Sequence, residues 1–147
     1  MYRAYPRPGG FEMADGVDDL KALWHELNAH VEQLASERQH YLEIFERAEE
    51  AYLVTDRHGI IEQANGAAVD LLQRRRRNLR GKPLAVLVSP GERREFRARM
   101  HGLVNGPAAV ATWRTSFGEP AEGEVTVSAR VMGRAERGIG WVIRGQR

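Results

Sequence analysis

The stretch AYLVTDRHGIIEQANGAAVDLL, Ala51 to Leu72, constrains the fold more than any other part of the chain. Tyr52, Leu53, Val54 and Thr55 suit a pleated surface, and Asp56 with Gly59 supplies the chemistry of a tight reversal. Ile60 and Ile61 then restart an apolar strand. Asn65-Gly66 ends it, and the Asn65 side chain is placed to accept a hydrogen bond from an amide in the first turn of a helix. Ala67, Ala68, Leu71 and Leu72 give that helix an apolar face. Strand, turn, strand and capped helix thus follow one another with no residues to spare.

What precedes this stretch has a different period. Leu20, Trp24, Leu27, Val31, Leu34, Arg38, Tyr41, Phe45 and Ala48 alternate steps of four and three, the seam of a coiled coil, which only Arg38 interrupts. No Gly or Pro lies between Asp18 and Glu50, so residues 17–48 are expected to form one long helix, and 1–16, rich in Gly and Pro, a loose tail. The seam is narrow and flanked by charges. Pairing with a second copy through Leu20, Trp24, Leu27, Val31, Leu34, Tyr41 and Phe45 is therefore expected, against the alternative of a helix folded back on its own domain. The polar positions His30 and Arg38 mark where the register of such a pair could change.

After Leu72 come Gly81-Lys82-Pro83-Leu84, an apolar Ala85-Val86-Leu87-Val88 turn, and a helix over 91–104 burying Phe96, Met100, Leu103 and Val104. Gly81 reads as a turn residue. Three strands are expected over 109–117, 124–132 and 139–144, the middle one with Val125, Val127, Ala129 and Val131 on one face. This order implies an α+β domain over 49–147, a five-stranded antiparallel sheet with short helices grouped on one face.

In that order and spacing, FERAEEAYLVTDRHGIIEQANGAAVDLLQ, GKPLAVLV, Pro90-Gly91-Glu92-Arg93 and the closing GWVIR resemble the PAS domain, a sensory and interaction module of signalling proteins, from near Tyr41 to Arg147. The resemblance implies structural roles for Asp56, Gly59, Asn65 and Gly81. It also implies a cleft between the helices and the inner sheet face that accepts flavin, haem, metabolites, fatty acids or nothing. Leu87, Phe96, Met100, Trp113, Val127 and Trp141 are the candidate lining, although Trp113 and Trp141 would instead be interface residues if they lay on the outer face. Family members often continue into an acidic motif leading to an output helix, whereas Gly145-Gln146-Arg147 stands here. The chain is then either a free-standing sensor or a piece of a longer protein whose effector lies elsewhere.

The remaining chemistry is defined by exclusion. With no cysteine, a flavin photocycle through a thiol adduct and a thioester-linked coumaric chromophore are both ruled out. His101, near the end of the 91–104 helix, is the one candidate axial ligand for haem, with a surface histidine near a helix C-terminus as the plainer reading. The five histidines suggest no metal site, and no nucleophile elbow, zinc helix or phosphate loop is present, so no catalytic role is expected. The run Arg74-Arg75-Arg76-Arg77, with Arg80 and Lys82, is expected to be a solvated face in preference to a nucleic-acid site, since no aromatic residue is interleaved with it. No segment approaches the ~18 apolar residues that span a bilayer, and a cytoplasmic location is expected. The function expected is a non-catalytic signalling module that senses a small ligand or partner and relays it through the dimeric helix; a ligand-free dimerisation module is the alternative.

Overall fold

A computed structural model describes residues 13–133 and 138–145, with backbone alone for 13–15. The long helix α1 runs Met13–Arg47. At 1.5 Å per residue it is about 52 Å long. It starts four residues before the expected boundary at Val17, because Met13 and Ala14 favour helix and a lone Gly16 costs only about 1 kcal/mol. The rest of the expected tail, 1–12, lies outside the described residues. The chain divides into two compact units, Met1–Leu42 and Glu43–Arg147, so the last turn of α1 belongs to the second. In the first unit, Leu20, Trp24, Leu27, Val31 and Leu34 are each more than half exposed, and so is Leu23 beside them.

The second unit is built on a sheet of strand order β2-β1-β5-β4-β3, antiparallel throughout. The strands are β1 Ala51–Thr55, β2 Ile61–Ala64, β3 Val110–Phe117, β4 Gly123–Met132 and β5 Gly138–Gly145. The last three fall within a residue or so of the expected bounds, because their period-2 alternation is uninterrupted. Between β2 and β3 come α2 Gly66–Leu72, α3 Arg76–Leu79, 3₁₀ turns at Leu84–Leu87 and Pro90–Glu92, and α4 Arg93–Asn105. The basic run therefore contributes a helical turn that its composition did not suggest.

The β1–β2 turn is made as its residues dictate. Asp56 Oδ1 accepts from the amides of His58 and Ile60, at 2.8 and 2.9 Å, and Gly59 takes a φ of +84°. Gly81, at φ +86°, donates its amide to Ile61 O. The segment between α3 and α4 is hydrogen-bonded to both rims of the sheet. Pro83 bridges Ile60 beside β2, and Val88 bridges Phe117 on β3. Arg93 fastens the end of the first 3₁₀ turn to the start of α4, donating Nε to Val88 O and Nη2 to Val86 O.

The inner face of the sheet supplies Leu53, Trp113, Phe117, Val125, Val127, Ile139, Trp141 and Ile143, over which α2, α4 and the 3₁₀ turn place Leu72, Phe96, Leu103, Leu84 and Leu87, all buried. Among the described residues no helix is long and apolar enough to cross a membrane.

Gly59 and Gly81, two of the positive-φ glycines, separate two costs. Gly81→Ala meets only the backbone penalty, since no atom lies within 4 Å of its new Cβ, and should lose about 1 kcal/mol. Gly59→Ala adds a Cβ 2.6 Å from Met100 Sδ and should lose about 2 kcal/mol, both read from urea unfolding midpoints.

Candidate functional site

Two features of the second unit bear on function: the aromatic cleft under α4, and the joint where α1 ends. The period-2 register of β3, β4 and β5 settles which way Trp113 and Trp141 face. Both lie on the inner face, with Trp113↔Val127 and Ala129↔Trp141 paired across strands, so neither is covered from the outer side. Phe96 stacks on Trp141 with centroids 5.4 Å apart and planes 14° from parallel. Trp113 meets both rings edge-on, at 5.6 and 5.9 Å. Leu87 and Val127 are buried with them. The structure therefore brings all six expected lining residues into one buried cluster. Met100, on the same helix as Phe96, also reaches Gly59.

Polar atoms within the cleft are few. Trp141 Nε1 donates to Thr55 Oγ1 at 3.0 Å, and that hydroxyl in turn donates to Asp56 O. Trp113 Nε1 is buried with no hydrogen-bond partner among the described residues. An indole N–H in that position lacks the partner that buried donors ordinarily have. The Arg99 guanidinium lies 5.7 Å from the Trp113 ring centroid, within cation–π range, and pairs with Glu95.

His101 does not enter this cleft. On α4 the buried face is Phe96, Met100, Leu103 and Val104, whereas His101 is exposed beside the Asn105 amide, one position round from Met100. It cannot serve as an axial ligand in the cleft, and the residues present do not fit haem there. Among the described residues no three His, Asp or Glu side chains converge where a metal ion could be held.

The joint is made by Asn65, a fully buried side chain that uses its whole hydrogen-bonding capacity. Oδ1 accepts from Tyr52 N on β1 and Ala68 N on α2; Nδ2 donates to Phe45 O in the last turn of α1 and to Glu50 O, all between 2.9 and 3.0 Å. Cap and turn chemistry made Asn65 legible in the sequence as a helix start; its hold on α1 was not. Arg76 reinforces it, with Nη2 donating to both Glu46 carboxylate oxygens at 2.8 Å and Nε donating to Ala64 O. Gly66 keeps clearance here, since a Cβ would stand 3.2 Å from Glu46 O. Glu50 then pairs with Arg144 on β5 at 2.6 Å and accepts from Tyr52 Oη. The hydrogen bond from Arg144 holds the Glu50 carboxyl below its ordinary value, against a smaller opposing effect of desolvation.

Half of the basic run is engaged with the domain. Besides Arg76, Arg74 donates to Glu119 O and Arg80 to Glu62 O, so these arginines bind main-chain carbonyls beside the sheet rims. Nothing in residue type marks which arginines of such a run find carbonyls, since the partners lie 12 to 45 positions away.

A five-stranded antiparallel sheet that carries its helices on one face, over a cleft closed by side chains, is the architecture of a small sensory domain. The family described as PAS fold matches residues 39–146, and the chain belongs to it. No curated protein matches the chain. Among solved structures, it is similar to the PAS domain of an HTR-like protein from Haloarcula marismortui, at 13% identity and TM-score 0.68, covering 81% of this chain and 99% of that one. A PAS domain from Colwellia psychrerythraea is similar at 17% identity and TM-score 0.66, with 74% and 95% covered. The PAS domain of the Cronobacter turicensis RpfR quorum-sensing receptor, in complex with BDSF, is similar at 14% identity and TM-score 0.58, covering 69% and 97%.

Asn65→Ala strands two carbonyls and two amides at once and should destabilise the second unit by roughly 2–4 kcal/mol in urea unfolding. Arg144→Ala should raise the Glu50 titration midpoint toward the ordinary carboxylate value, followed by ¹³C NMR of the side-chain carboxyl. The sign follows from a lowered pKa: the pairing stabilises above the ordinary carboxylate range and is lost as pH falls through the lowered value.

Proposed function

We propose that this chain is a non-catalytic, cytoplasmic sensory module of a signalling protein, in which a small ligand or a partner alters the core and the change passes into α1. In this reading α1 pairs with a second copy through Leu20, Trp24, Leu27, Val31, Leu34, Tyr41 and Phe45, and the module serves a kinase or a transcription regulator. The observation that carries it is Asn65. One buried side chain joins the last turn of α1 to β1 and α2, so a shift of the core that moves either element also moves the end of the helix. The RpfR domain in complex with BDSF supports a small-molecule input, and the buried Trp113 Nε1 offers such a molecule an unused donor. Seam exposure supports the pairing, because burying five large side chains between two copies would remove apolar surface worth roughly 1.5–3 kcal/mol per residue.

A second reading, a ligand-free interaction module, is favoured by the packing of Phe96 on Trp141. A ligand entering there must displace Phe96, whose burial contributes about 2–3 kcal/mol. One preparation of the full chain tests both. Light scattering should give twice the chain mass of 16.6 kDa, and Leu27→Glu with Leu34→Glu should halve it. A monomeric wild-type chain would sink the seam pairing. Native mass spectrometry of the same sample should reveal a co-purifying small molecule; a bare chain favours the second reading.

A further inference from the structure

The outer strand β3 is closed along only part of its free edge. It pairs with β4 without a register break from Val110↔Arg130 to Phe117↔Gly123, so its residues turn their peptide groups alternately toward β4 and away from it. Ser116 sets the phase. Its carbonyl accepts from Ser89 N and its amide donates to Glu92 Oε1, both across the free edge. Val110, Thr112 and Arg114 share that phase and turn amide and carbonyl outward as well. From Ser116 onward the chain closes the edge with itself, Val88 bridging Phe117 and Gly118 N donating to Leu87 O. Before Ser116, no main-chain or side-chain group among the described residues bonds to the outward peptide groups.

We propose that the open stretch, Val110 to Arg114, takes up an extended, acid-bearing segment of another protein as an added strand. One free donor and one free acceptor at each of Val110, Thr112 and Arg114 form the template that strand addition uses. The stretch is about 13 Å long, room for roughly five residues of incoming chain. An added strand there would lie in line with residues 87–89, which already run along the same edge.

Side chains decide what kind of segment fits. Val110, Thr112 and Arg114 lie on the face opposite to Trp113 and are exposed, and Arg130, also exposed, stands across from Val110 on β4. A guanidinium group thus flanks each end of the stretch. Neither has an ion pair among the described residues, and Glu124, diagonal to Arg114, makes none with it. Exposed arginines occur elsewhere, at Arg75, Arg77 and Arg94; what marks this pair is the row of free peptide groups beside it. A second copy added through the same stretch would set Arg114 and Arg130 of both chains on one face, like charge against like. A segment with carboxylates on that face pairs with them instead. On the other face it would lie beside Ala111 and Trp113, which suits apolar residues at the alternate positions. The inference depends neither on a ligand in the aromatic cleft nor on pairing through α1.

Amide hydrogen exchange, followed by NMR on the full chain, reads this edge directly. In the chain alone the Thr112 and Arg114 amides should exchange fast, and those of Trp113 and Thr115, which face β4, slowly. A capped peptide of alternating valine and glutamate should slow Thr112 and Arg114 by about tenfold or more at saturation, and its valine–lysine counterpart should not. Thr112→Pro deletes an outward amide without touching the β4 ladder and should weaken the glutamate peptide about tenfold, whereas Thr112→Val should not. Arg114→Glu, at an exposed site, should reverse the preference between the two peptides, and it carries the test if circular dichroism shows that Thr112→Pro does not fold. The proposal is overturned if the Thr112 and Arg114 amides are already slow in the chain alone. Slowing that grows with protein concentration would mean that a second copy covers the edge, and slowing independent of it that the chain covers its own. It is equally overturned if the glutamate peptide leaves these amides fast, if the lysine peptide binds as well, if folded Thr112→Pro binds like wild type, or if Arg114→Glu leaves the preference unchanged.

Discussion

Everything at the entrance to the sheet hangs on a single amide. Asn65 is fully buried, and a buried primary amide is tolerable only when both donors and both acceptor positions are used. Here the four partners come from four places in the chain: the last turn of α1, the link after it, the first strand and the first short helix. Because each bond is in a dry environment, losing one would leave a polar atom without water to replace it. The consequence is that the last turn of α1 is tied to the cap of α2 and to the first strand through one side chain.

Around this joint the protein combines a hard core with an unsatisfied helix. Phe96, Trp113 and Trp141 are locked by one another and by the Thr55 hydroxyl. The seam of α1, in its own unit, leaves Leu20, Trp24, Leu27, Val31 and Leu34 exposed, a run of side chains that a chain alone gains nothing by displaying. Membership of the PAS family ties these to sensing and signalling in general terms, while the chain's own residues set what it can do.

Local chemistry made much of this readable in advance. Asp56 binds amides two and four positions on, Asn65 caps the amide three positions on, and the strands after Val110 alternate cleanly, so turn, cap and register follow from short windows. The inward direction of Trp113 and Trp141 stayed open because alternation says that two faces differ without saying which one a cleft occupies. Longer reach was illegible for a simpler reason. Glu50 and Arg144 lie 94 positions apart, Arg76 and Glu46 thirty, and residue type alone cannot select one pairing among so many charged candidates. At His101 the plainer reading, a surface histidine near a helix C-terminus, is the one found: one step along α4 separates Met100, buried, from a histidine in solvent.

The arginines that bind main-chain carbonyls have an effect on how copies of the protein meet. β2 and β3 are the outer strands, and an outer strand with bare peptide groups invites another chain to add to the sheet. On β2, Ile61 O is taken by the Gly81 amide, Glu62 O by Arg80 and Ala64 O by Arg76; beside β3, Ser89 N, Glu92 and the Leu87 carbonyl occupy Ser116 and Gly118. β2 and the C-terminal end of β3 are blunted by groups that carry charge or by main chain that is itself part of the fold. Open-ended stacking into fibrils through these positions is thereby discouraged.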